Sequence, residues 1–186
     1  MSSPKYLVDA NLILARTNYR EYDELVFPIY WENFDKLVEA GIIISLTSVK
    51  GEIERVVKRG DVADDILTWV EDHSQMFKFP PDERYTKETV IVKNKLQGWF
   101  RKNEKKADSA LVVFAKAYNL TIVTQETPNF TTKKQSQYNI PTACKKLGAY
   151  CRCGVLEVTH DVDSTKAPFQ CINFVELVRR EKLYQE

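Results

Sequence analysis

Ile42-Ile43-Ile44-Ser45-Leu46 is the segment that most restricts how this chain can fold. It is a near-continuous apolar run of strand length, as expected for a parallel strand covered on both faces rather than one with a wet face. Tyr6-Leu7-Val8-Asp9-Ala10-Asn11 reads as a second short buried strand that ends in polar residues. Thr121-Ile122-Val123-Thr124 and Phe169-Gln170-Cys171-Ile172-Asn173 read as two more.

Helical patterning fills the intervals. Phe27 to Ala40 places Ile29, Tyr30, Phe34, Leu37 and Val38 near helical spacing, and Gly41 supplies the stop. Ser48 is positioned to cap a helix carrying Val49, Ile53, Val56 and Val57. Further helices are expected from Val62 to His73 and, after the Phe79-Pro80-Pro81-Asp82 break, from Thr86 to Lys102. Three more follow: Asp108 to Asn119, Pro141 to Gly148, and Phe174 to Lys182. Strands alternating with helices in this way predict an α/β fold with a mostly parallel central sheet and helices on both faces. The stretch from Cys151 to Pro168 is the least regular and reads as an insertion, with Gly154-Val155-Leu156-Glu157-Val158 as a candidate extra strand.

The length of 186 residues suits one domain spanning residues 1–186, and a chain 44% hydrophobic and 28% charged is ordinary for a globular protein. The formal charge of +1 argues against indiscriminate coating of nucleic acid, while leaving room for a local basic groove. No long apolar core follows Met1, and no run approaches the ~18 residues a membrane helix needs. A cytoplasmic protein with reduced thiols and no membrane contact is the expectation.

In parallel sheets of this kind, sites form beyond the carboxyl ends of the strands. Asp9 closes the first strand, Glu52 follows the second, and Glu126 lies just past Val123-Thr124-Gln125. Asp108 stands at the start of the helix that precedes the strand from Thr121. A parallel sheet can gather all four at one edge. Crowded carboxylates repel one another unless a cation compensates, and oxygen-only donors suit Mg²⁺ or Mn²⁺. Such ions polarise phosphoryl oxygens and activate water against a phosphodiester. Only His73 and His160 are present, which argues against a histidine-rich zinc hydrolase. Each acid also has a plainer reading: Asp9 as a turn residue, Glu52 as a solvated helix residue with Glu54 competing, Asp108 as a helix cap, and Glu126 as a loop acid.

The segments Tyr6-Leu7-Val8-Asp9-Ala10-Asn11, Ser48-Val49-Lys50-Gly51-Glu52-Ile53, Ala107-Asp108-Ser109-Ala110-Leu111-Val112 and Val123-Thr124-Gln125-Glu126 together resemble PIN-domain ribonucleases of the VapC-type toxins. More narrowly, with Asn139-Ile140-Pro141-Thr142-Ala143-Cys144 and Cys171-Ile172-Asn173-Phe174, they resemble the PIN-like group DUF4411. The likeness covers nearly the whole chain apart from Cys151 to Pro168. It implies a PIN-like domain whose acidic pocket holds one or two Mg²⁺ or Mn²⁺ ions. By position it makes Asp9, Glu52, Asp108 and Glu126 the catalytic, metal-binding acids, with Asn11 and Thr124 orienting Asp9 or a metal-bound water. Many PIN domains have Asp where this chain has Glu126, so a longer carboxylate there binds through water or serves a second ion. The implied activity is endoribonuclease, with an RNA substrate, a cognate antitoxin protein and a homodimeric state.

Lys102, Lys105 and Lys106 precede Asp108, and Lys133 and Lys134 follow Glu126 together with Phe130 and Tyr138. Basic residues interleaved with aromatics suit a single-stranded RNA path, or equally a solvated surface with an anchored loop. Cys144, Cys151, Cys153 and Cys171 lack paired C-x-x-C knuckles, so buried apolar thiols are expected in preference to zinc. Trp31, Trp69 and Trp99 read as core or dimer-contact residues. Two rival functions remain. One is a catalytically weak PIN-like module that binds RNA or protein. The other is a haloacid-dehalogenase-like phosphatase, which needs an Asp where this chain has Asn11.

Overall fold

A computed structural model describes residues 3–17, 21–60, 65–79, 82–104, 106–153 and 163–185. Six strands form one sheet: β1 (Tyr6–Val8), β2 (Ile43–Leu46), β3 (Phe77–Lys78), β4 (Thr121–Val123), β5 (Tyr150–Arg152) and β6 (Gln170–Ile172). Every pairing is parallel, in the order β3-β2-β1-β4-β6-β5. All residues of β1, β2 and β4 are buried, the burial expected of strands with both faces covered.

The helices are α1 (Ala10–Leu14), α2 (Pro28–Glu39), α3 (Thr47–Lys58), α4 (Asp65–Asp72), α5 (Glu83–Lys95), α6 (Gln97–Asn103), α7 (Ala107–Tyr118), α8 (Ile140–Lys146) and α9 (Phe174–Glu181). Aromatic packing joins α2 to α9: the Trp31 and Phe174 rings stack with centroids 4.9 Å apart. Trp31 and Trp99 are fully buried, as expected for core residues, while Trp69 is half-buried. Asn119 ends α7 in the left-handed conformation, and Gly41 at φ +72° turns the chain from α2 into β2.

The chain lays β1, β2 and β3 outward in one direction, then returns to place β4 on the other side of β1. The order of strands therefore reverses between β1 and β4. A crevice opens at such a reversal, beyond the carboxyl ends of the two strands.

Several elements depart from the sequence expectation. The first strand stops at Val8 because the Asp9 carboxylate accepts the Ala10 N–H at 2.7 Å and starts α1. The strand expected through Asn11 is therefore half helix. Ser48 is not a cap: α3 begins at Thr47 without a side-chain cap, and the Ser48 hydroxyl is buried with no protein partner among the described residues. The helix expected from Thr86 to Lys102 breaks at Leu96, whose backbone lies at φ −125°, ψ 49°. There the Gly98 N–H donates to Gln135 Oε1 at 2.9 Å, and a Cβ on Gly98 would stand 3.1 Å from Gln135 Cβ. A loop distant in sequence thus sets the elbow.

Strands β3 and β5 were not expected. Since Cys151 and Arg152 pair with β6, the stretch taken as an insertion starts inside the sheet. The candidate strand from Gly154 to Val158 lies outside the described residues, as does His160.

Candidate functional site

Asp9 is buried at the carboxyl end of β1, and both its oxygens have protein partners. One accepts the Ala10 N–H, and the other accepts the Thr124 hydroxyl at 2.9 Å. Thr124 directly follows β4, so this bond spans the mouth of the crevice. Asn11 stands behind Thr124: its amide donates to Thr124 Oγ1 at 3.1 Å, and its carbonyl oxygen accepts the Gln125 N–H at 2.9 Å. Thr124 therefore orients Asp9 directly, and Asn11 acts through Thr124.

Glu126 follows two residues later. Its Oε2 accepts the Ile140 N–H at 2.7 Å, and Ile140 is the first residue of α8. The first N–H groups of a helix have no partner within it, and the dipole there favours negative charge. The extra methylene of Glu relative to Asp is what this reach uses. Asn139 caps the same helix by accepting the Thr142 N–H at 3.1 Å. The helix was expected from Pro141, one residue late, and neither the Asn139 cap nor the hold on Glu126 was read from the sequence. That role needed the fold.

Glu52 lies on α3, half-buried. Asp108 is in the first turn of α7, with Lys106 rather than Asp108 at the cap position, so the cap reading of Asp108 is set aside.

The four carboxyls act on one another. Burial, then the charges of Glu126 and Asp108, with Glu52 adding, hold the Asp9 carboxyl well above its ordinary value, against the lowering effect of the Thr124 bond. Glu52 is raised by burial and by Asp108, while Arg55 and Lys106 pull it down. Asp108 is raised by burial, opposed by Lys106, its own backbone N–H and Lys102. Glu126 is raised by burial and by Asp108 and Glu52, opposed by the Ile140 bond and Lys106. The charges of the four expected acids thus act at one end of the sheet, and Glu52 rather than Glu54 is the glutamate of α3 whose charge bears on Asp9 and Glu126.

The donor set fits a hard divalent cation. It consists of oxygen atoms only, and its protonation is pushed up by burial at all four acids and by carboxylate repulsion at Asp9, Glu52 and Glu126, both of which a bound cation would counter. Among the described residues, no three His, Cys, Asp or Glu side chains already surround a common point, so an ion would draw the carboxylates inward.

The basic residues divide. Lys102 and Lys106 are exposed on the rim, and their charges reach the acids. Lys105 lies outside the described residues. Lys133 and Lys134 are exposed on the loop that Gln135 ties to Gly98 of α6. Tyr138 is buried in the core, and Phe130 packs against the core beneath Lys145, whose ammonium sits 4.4 Å from the ring centroid. Neither aromatic is a free stacking platform; both anchor the loop. A cleft of about 440 Å³ lined by Lys93, Asn94, Gln97, Gly98, Arg101 and Glu104 lies at the α5–α6 elbow and contains none of the four acids.

No helix among the described residues is long and apolar enough to cross a membrane. A search of curated proteins finds no match. Among solved structures, PAE2754 from Pyrobaculum aerophilum is similar, at 13% sequence identity and a TM-score of 0.48, over 97% of this chain and 98% of that one. The profile of the family described as "Domain of unknown function (DUF4411)" matches residues 6–155, most of the chain. This chain belongs to the DUF4411 family.

Proposed function

We propose that this protein is a Mg²⁺- or Mn²⁺-dependent endoribonuclease that hydrolyses RNA phosphodiesters at the acidic cluster, and that it is the toxin of a toxin–antitoxin pair. One observation carries the reading: Asp9, Glu52, Asp108 and Glu126 come from four separate segments near the β1–β4 reversal, and the charge of Asp108 raises the proton affinity of the other three. The resemblance to PIN-domain ribonucleases assigns the chemistry to those same four positions.

Asp9, Glu52 and Asp108 would hold the ion, and Glu126 would complete the set. A bound divalent ion there supplies a polarised phosphoryl oxygen and a water of lowered pKa. The chain's own contribution is orientation. Thr124 and Ala10 fix the Asp9 carboxylate, Asn11 fixes Thr124, and the α8 N-terminus fixes Glu126. Lys102 and Lys106 place positive charge on the rim, where a phosphodiester backbone would approach. Free buried thiols support a reducing, cytoplasmic setting. Exposed Leu25 and Val26, and Val90 and Ile91, support contact with protein partners, an antitoxin and a second copy of the chain.

A second reading has its own support. Both oxygens of Asp9 and one of Glu126 already engage protein donors, which suits a catalytically weak module that binds RNA or protein. One experiment separates the two. A mixed tRNA, rRNA and mRNA panel is incubated with Mn²⁺ or Mg²⁺, using wild type and Asp108→Asn. Discrete fragments that disappear with EDTA and in the variant are expected. Mn²⁺ binding without cleavage selects the binding module, and failure to bind Mn²⁺ removes the four-carboxylate reading.

A further inference from the structure

We propose that Cys144, Cys151, Cys153 and Cys171 form a tetrathiolate site for Zn²⁺ that fastens α8 to the β5–β6 edge of the sheet. The chain has four cysteines, and all are buried free thiols. Strand register explains why they meet. Cys151 and Cys171 are direct partners across the parallel strands β5 and β6, so their side chains share a face of the sheet. Cys153, two positions beyond Cys151, alternates back to that face. Helix α8 packs against both strands and contributes Cys144.

The Cys153 and Cys171 sulfurs are 3.5 Å apart. Cys171 also interacts with the thiols of Cys144 and Cys151, which places it at the hub of the group. Zn–S bonds of ≈ 2.3 Å in a tetrahedron separate the sulfurs by about 3.8 Å, so one edge is already near its final length. Thiolate-only donors favour a soft or borderline ion over Mg²⁺ or Mn²⁺.

In the thiol form, the cluster spends its donors on carbonyls. Cys151 Sγ lies 3.6 Å from the Pro141 oxygen and 3.7 Å from that of Ala149, and Cys153 Sγ lies 3.3 Å from the Cys171 oxygen. Loading releases the thiol protons to solvent and exchanges these weak S–H···O contacts for Zn–S bonds; because no three of the sulfurs surround a common point in the thiol form, side-chain rotations must centre them. The site also bears on the acids, because α8 carries the Ile140 N–H that holds Glu126 at 2.7 Å. The zinc proposal does not depend on the nuclease reading.

The test uses the full chain, purified under reducing conditions from zinc-containing medium. Elemental analysis after long dialysis should find about one Zn²⁺ per chain. Replacement by Co²⁺ should give the thiolate-to-cobalt charge-transfer band and the visible bands of tetrahedral coordination. Cys153→Ser should lose both, while Asp108→Asn keeps them; Mn²⁺ binding should show the reverse pattern. An organomercurial titrated into the wild type should release the zinc as the thiols react, a readout that does not rely on a variant folding. A folded wild type with neither zinc nor a cobalt–thiolate band overturns the proposal. So does a band that survives Cys153→Ser or vanishes in Asp108→Asn.

Discussion

Arg16 and Asp9 flank the same short helix, α1, and both are buried, yet their charges meet opposite surroundings. Arg16 is matched on every side. Its guanidinium donates to Glu24 at 2.6 and 3.0 Å and to Asp35 at 3.0 and 3.3 Å, and it lies between the Trp31 and Trp69 rings at 5.0 and 4.6 Å. The Trp69 indole N–H also donates to Asp35, at 3.1 Å. Burial alone would lower the Arg16 pKa, but the bonds to Glu24 and Asp35 raise it. Asp9 has two neutral donors, three carboxylates acting on it and, among the described residues, no cation in contact. The first arrangement completes itself from within the chain. The second lacks a positive partner, which is why the ligand is sought there.

The largest expected effect comes from breaking the matched region. Arg16→Met keeps the stem's packing but removes the charge, and truncating one partner of a buried pair costs about 3–5 kcal/mol. The lower figure applies, because Glu24 is 47% exposed and Asp35 retains the Trp69 bond. A loss of about 3 kcal/mol in urea unfolding is expected, with or without Mn²⁺. A loss that Mn²⁺ restores would show that Arg16 serves the acidic site and would collapse the contrast.

The unmatched region should respond in the opposite direction. In EDTA at neutral pH, Asp108→Asn removes like-charge repulsion and should stabilise the protein by about 1–2 kcal/mol, while abolishing stabilisation by Mn²⁺. The pH dependence follows from the raised carboxyls. Their ordinary values of 3.8 and 4.5 describe the unfolded chain, so between those values and the higher folded ones the folded state binds more protons. Stability of the metal-free protein should therefore rise as pH falls from neutral through the raised values, and level off near the ordinary ones. Mn²⁺ affinity should fall over the same window, since protons and ion compete for the same oxygens. Thermal unfolding at a series of pH values in EDTA checks the sign; a wild type that loses stability from pH 7 to pH 5 contradicts it.

The two regions also differ in how far the sequence revealed them. Asp9, Glu52 and Glu126 were legible because each follows an apolar run, and in a parallel sheet strand ends share an edge. Arg16 was not singled out, because its partners Glu24 and Asp35 lie 8 and 19 residues away and only tertiary packing brings them to it. Strand β3 has two residues and β5 three, too short for periodicity, and both exist through pairing with distant strands. The Leu96 elbow depends on Gln135, and the gathering of thiols depends on the β5–β6 register. Local chemistry named the acids. Only tertiary contact could show what holds each one.

Thr124→Val probes the finest part of the contrast, the single hydroxyl that holds Asp9 across the crevice. Valine matches threonine in shape, so the fully buried site keeps its packing but loses the hydroxyl's bonds to Asp9, to the Asn11 amide and to the Glu126 N–H, at a cost of about 1–3 kcal/mol. The Asp9 carboxyl loses the bond that lowers its pKa and should move further up. Mn²⁺ binding should weaken about 10–100-fold, the usual consequence of removing a group that orients a metal ligand. Thr124→Ser retains the hydroxyl and should restore the affinity. Mn²⁺ titration of the three proteins at one pH compares them directly. If valine and serine bind Mn²⁺ alike, Thr124 is merely core, and the orientation of Asp9 rests on the Ala10 N–H alone.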